Sequence, residues 1–168
     1  MWAAAALLLG IPAIAMQFTS EVDWTASDFM VMGIMLGTAF GTFDLASRMS
    51  GSITYRTGVG VAVLASFLLV WINLAVGIIG SEGNPANLMF GVVLIVALAG
   101  SLVARFQAAG MSRTMVATAA VQAGSGIIAL VGNLGARKPI WPADIVALTL
   151  IFTAMWLGSA WLFRLARD

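Results

Sequence analysis

The sequence predicts an all-α polytopic membrane protein, a bundle of six transmembrane helices, and three observations carry that prediction. Of its 168 residues 61% are hydrophobic and only 9% charged, whereas about a quarter of residues are charged in soluble domains. Apart from the chain ends, the charges fall at the seams between long apolar runs, leaving residues 1–20, 29–43, 57–81, 83–104, 114–136 and 145–163 uncharged. Most of those runs approach the roughly 20 helical residues that a hydrocarbon layer of about 30 Å requires.

The first span covers about 2–18. Ala13-Ile14-Ala15 looks like a small-residue cleavage site, but Met1-Trp2-Ala3 carries none of the positive charge that opens a signal peptide, so a retained span is expected, with a kink at Pro12. The second covers 28–47 and opens on Trp24-Thr25-Ala26-Ser27-Asp28, a polar cap ahead of an apolar run. The third covers 57–80. The fourth covers 85–105 and starts at Asn84-Pro85-Ala86, with Asn as N-cap and Pro at the first helical position. The fifth covers 113–133 and the sixth 144–164, together making one transmembrane domain over 1–168.

Six spans place the seams alternately on two sides. One side collects Arg48, Arg56, Arg105, Arg113, Arg164 and Arg167; the other collects Arg137 and Lys138 with Glu21, Asp23, Asp28 and Glu82. The positive-inside rule therefore puts both termini in the cytoplasm. Trp24 and Trp141 fall at the outer edge and Trp2 and Trp161 near the inner edge, where indoles prefer to sit.

The spacing also predicts a repeated helical hairpin: 57 residues separate both Arg48 from Arg105 and Arg56 from Arg113, and each even-numbered span opens on a polar phrase and closes on arginine. Two repeated hairpins, with span six as an incomplete third copy and span one as its partner, suggest a pseudo-threefold bundle of parallel repeats. The same spacing follows from topology rules alone, because caps and arginines mark any membrane hairpin. Inverted repeats, the mark of many secondary transporters, are not supported.

Composition removes most chemistry. A net charge of +1 with scattered basic residues gives no footprint for nucleic acid. Without cysteine or histidine there is no disulfide, thiolate nucleophile, iron–sulfur site, axial imidazole or imidazole base, so no cofactor, no metal and no catalytic residue is expected. Ser, Thr and one paired Asp are too little for an intramembrane enzyme.

Four motifs remain. Asn84-Pro85-Ala86 matches the aquaporin tripeptide, but aquaporins carry two copies on an inverted repeat and this chain has one. Gly33, Gly37 and Gly41 recur every four residues and lie on one face of span two, a face that lets another helix of this chain or of a second copy approach closely. Asp44 and Arg48, four residues apart, are placed to form a structural ion pair. Thr114, Thr118, Gln122 and Ser125 make a polar stripe on span five, and Ser66 and Asn73 lie on one face of span three. Such stripes line a small hydrated cavity or hydrogen-bond to each other as interhelical glue. Trp71, Asn73, Thr118 and Gln122 are the candidate solute contacts.

The stretch from Trp71-Ile72-Asn73-Leu74 through Asn84-Pro85-Ala86-Asn87-Leu88-Met89, with Gly158-Ser159-Ala160-Trp161-Leu162-Phe163-Arg164, resembles small uncharacterised six-span inner-membrane proteins of alphaproteobacteria. The resemblance implies a bacterial inner membrane and transfers no binding or catalytic residue. In size and span number the chain is also similar to the substrate-binding subunits of energy-coupling vitamin transporters, an analogy of fold alone. The expected function is a non-enzymatic membrane protein whose partners are the lipid bilayer and either its own copies or another membrane protein. A small-solute binding, channel or transport component is the alternative.

Overall fold

A computed structural model describes residues 2–20, 22–136 and 140–166; Glu21, Arg137, Lys138 and Arg167 lie outside the described residues. The chain is helical: α1 (Trp2–Ala15), α2 (Ala26–Met49), α3 (Ile53–Ala75), α4 (Met89–Val103, entered through a 3-10 turn at Pro85–Leu88), α5 (Ala108–Val131) and α6 (Ala143–Leu165). The turn with α4, and each of the helices α2, α3, α5 and α6, is long and apolar enough to cross a bilayer. The protein is thus a helical membrane bundle. α1 differs from the expected full span: its 14 residues rise only about 21 Å, against about 30 Å of hydrocarbon.

The helix starts follow from local chemistry. Thr25 caps α2 in a capping box, its backbone N–H donating to Asp28 Oδ2 at 2.7 Å while its hydroxyl accepts from the Asp28 N–H. Ser52 caps α3 through the Tyr55 N–H. Asn84 accepts from the Ala86 N–H with Pro85 at the first helical position, so the tripeptide opens the fourth helical segment.

Side by side, the helices pack in the order α1, α2, α3, α6, α5, α4. The hairpins α2–α3 and α4–α5 each form, and α6 sits between α3 and α5. The third hairpin of a pseudo-threefold bundle would need α1 beside α6; α1 packs on α2 instead. Hydrogen bonds clamp α6 at both flanks, Ser159 Oγ donating to Gly58 O of α3 at 2.8 Å and Ser112 Oγ of α5 donating to Ala160 O at 2.9 Å. Beside them, buried Tyr55 stands edge-on to Phe163 and donates its hydroxyl to Phe106 O at 2.6 Å, in the α4–α5 turn. These contacts bring the arginine-bearing ends of α2 to α6 to one end of the bundle.

At the opposite end α3 stops earlier than the apolar run predicts. Gly77 and Gly80 adopt φ of 67° and 73°, open only to glycine at low cost. The chain between them turns Ile78 and Ile79 back into the core, where both are fully buried. Asn87 fixes this loop by accepting from the Ile79 N–H and donating to Ser81 O. Asn84 Nδ2 ties it to Leu134 O after α5.

Candidate functional site

The helix order leaves α2 and α4 facing each other with little direct packing, because α3, α6 and α5 run behind them. Between them lies a cavity of about 400 Å³. Ala39 and Thr42 of α2, Val63 and Phe67 of α3 and Ala97 of α4 form its sides, and Met115 of α5 and Trp156 of α6 its floor. Its lining holds no charged side chain. Ile34 and Leu98, at the two rims, are 63% and 64% exposed, so the cavity opens sideways onto the lipid-facing surface.

Its polar lining residues are Thr38 and Thr42 of α2, Ser66 of α3, Ser101 of α4 and Trp156 of α6. The Ser66 and Ser101 hydroxyls in its wall donate to the backbone oxygens of Ala62 and Ala97, one turn earlier in their own helices. Trp156 is fully buried, and its indole Nε1 has no hydrogen-bond partner.

The four candidate solute contacts do not share this cavity. Trp71 is on the surface, with its ring 5.9 Å from that of Phe67. Asn73 Nδ2 donates back to Leu69 O at 2.7 Å. Thr118, fully buried, donates to Thr114 O. Gln122 is 1% exposed with both amide atoms unpartnered. The stripes of α3 and α5 cannot meet, because α6 lies between them. The α5 stripe faces two helices: a Cβ at Gly100 of α4 would run into Thr114, while at the other end a Cβ at Gly126 would run into Thr149 of α6, and one turn along each antiparallel helix lie Gln122 and Thr153. The hydroxyls of Thr149 and Thr153 are buried and unpartnered too. Thr149, Thr153 and Trp156 recur at intervals of four and three on α6, a spacing visible in the sequence that marks a polar line complementary to that of α5.

Asp44 and Arg48 lie 2.7 Å apart, at the arginine-bearing end of α2. Arg56 secures the same end by donating twice to Ser47 O, at 3.0 and 2.8 Å. Of the glycine face, Gly33 approaches α1, where a Cβ would touch Leu9 at 3.8 Å; at Gly37 and Gly41 a Cβ would meet nothing within 4 Å.

No family model, no curated protein and no solved structure matches this chain.

Proposed function

We propose that the chain is a non-enzymatic inner-membrane protein of bacterial type that acts through helix packing, as a homo-oligomer or as an accessory subunit of a membrane complex. One observation carries this reading. α2 is 24 residues long, yet only Leu36 and Ala46 are buried, and a Cβ at Gly37 or Gly41 would meet no neighbouring atom within 4 Å. A second helix can approach such a face to backbone contact, where van der Waals packing and Cα–H···O contacts drive association in lipid. The resemblance to alphaproteobacterial inner-membrane proteins and the arginine-bearing end, taken as cytoplasmic, supply compartment and orientation within the same proposal.

Native mass spectrometry of protein gently extracted from its own membrane tests it. The expected spectrum shows more than one chain per particle, or one chain bound stoichiometrically to a second protein, and Gly37→Leu reduces that species to the bare monomer. A monomeric wild type, or a Gly37→Leu variant that assembles normally, would contradict the proposal.

A further inference from the structure

We infer that the arginine-bearing end of α4, α5 and α6 is a docking surface for one anionic phospholipid. Arg105, Arg113 and Arg164 hold its phosphate, and exposed apolar side chains deeper in the bilayer receive its acyl chains. This surface stands independently of self-association through the glycine face of α2.

Charge balance sets this flank apart from the rest of the same end. Among the described residues Asp44 is the one carboxylate there, and Arg48 holds it at 2.7 Å. Arg56 directs its guanidinium to Ser47 O. Arg105, Arg113 and Arg164 are all exposed, and among the described residues none of them engages an ion pair or hydrogen bond through its guanidinium. Local contacts place the three around Ala109, near the start of α5. Arg105 is fixed on one flank, because its neighbour Ala104 packs so closely that a Cβ at Gly110 would meet the Ala104 Cα at 3.0 Å. On the other flank Ser112 Oγ donates to Ala160 O, and Arg164 stands one turn beyond Ala160 toward the same end. Arg113 follows Ala109 by one turn, on the same side of α5.

Depth decides that the anion belongs to a lipid. The 24 residues of α5 rise about 36 Å, so a centred helix leaves about 3 Å outside each face of a hydrocarbon layer about 30 Å thick. Arg113 lies five residues inside α5, about 7.5 Å along the axis, which puts its Cα roughly 4.5 Å within the hydrocarbon. A charge there is costly, and its long stem carries the guanidinium up to the boundary, where phospholipid phosphates lie. Arginine suits that partner, since its planar fork meets phosphate in paired N–H···O bonds. One turn from each arginine, toward the membrane interior, lie Leu102, Val116 and Trp161, all exposed. The surface is therefore cationic at the boundary and apolar below it, complementary to a molecule with an anionic head and hydrocarbon tails.

The test uses the full chain in a neutral detergent, titrated with phosphatidylglycerol or with phosphatidylcholine of the same acyl chains and read by native mass spectrometry. One phosphatidylglycerol per chain is expected, saturably and at least about fivefold more tightly than phosphatidylcholine. Arg113→Gln should weaken phosphatidylglycerol about fivefold and leave phosphatidylcholine, the internal check on folding, unchanged. Arg164→Gln, one residue from the end of α6, gives a second reading of the same loss. Arg56→Gln, at the same end but already engaged with Ser47 O, should leave the preference intact. Equal binding of the two lipids, Arg113→Gln and Arg164→Gln variants that keep the wild-type preference, or an equal loss in Arg56→Gln would each overturn the inference. Displacement of the lipid by glycerol 3-phosphate would overturn it too, because the surface would then be reading a free phosphate.

Discussion

The block formed by α3, α4, α5 and α6 and the arm formed by α1 and α2 are both built of apolar helices, yet they are held in different ways. α5 buries nine of its 24 residues, whereas α2, equally long, buries two. Lipid tails are as apolar as leucine, so hydrophobicity cannot press one membrane helix against another. Packing density and hydrogen bonds decide, and the block has both: the serine clamps on α6, the Tyr55 bridge to the α4–α5 turn, and a core in which Phe90, Phe152, Trp156 and Phe163 are almost wholly buried. The arm is tied to it by the short link to α3, the paired bonds of Arg56 to Ser47 O, and contact along α3. The difference teaches that span length alone does not rank the helices of a membrane bundle; small-residue and hydroxyl contacts at the helix faces do.

Substitutions can break this contrast. Phe163→Ala, which empties the contact with Gly58 and Tyr55, should cost about 3 kcal/mol through the cavity it leaves, while Ile34→Ala, at an exposed position on α2, should cost about 0.5 kcal/mol or less; unfolding in a denaturing-detergent titration measures both. Gly126→Leu pushes a side chain into Thr149 and should cost about 2 kcal/mol in the same titration. Ser159→Ala removes one clamp and should cost about 0.6 kcal/mol, close to the mean for interhelical hydrogen bonds in membranes. The smallest effect on the single chain belongs to Gly37→Leu, where no neighbour within 4 Å opposes a Cβ; its fold should stay within about 0.5 kcal/mol of wild type. Hydrogen exchange sharpens the picture further, with the amides of α2 expected to exchange well before those of α5.

Much of the bundle was legible in the residues because charge marks the seams: Asp28, Asp144, Arg48 and Arg164 stand close to real helix ends, and Asn84-Pro85 opens the fourth helical segment. The end of α3 was not. The run through Ile78 and Ile79 is apolar because a loop is buried there, and hydropathy cannot separate a buried loop from a further turn of helix. The cavity was hidden for a related reason. Polar stripes on α3 and α5 draw attention as a pair, but which helices face each other depends on side-by-side order, and spacing within one helix is silent on it. Trp156 had a signal of its own, since Trp2, Trp24, Trp141 and Trp161 fall near expected membrane edges and Trp156 falls deep within a span.

The central claim is that the arm, and not the block, offers its face to another chain, and a cysteine-free sequence allows a direct test. Gly37→Cys on α2 and Ile127→Cys on the exposed side of α5 would each be oxidised in native membranes and read by non-reducing electrophoresis. The account predicts a disulfide-linked dimer, or one defined adduct, for position 37 and monomer for position 127. Equal cross-linking at both positions, or none at position 37, would contradict it.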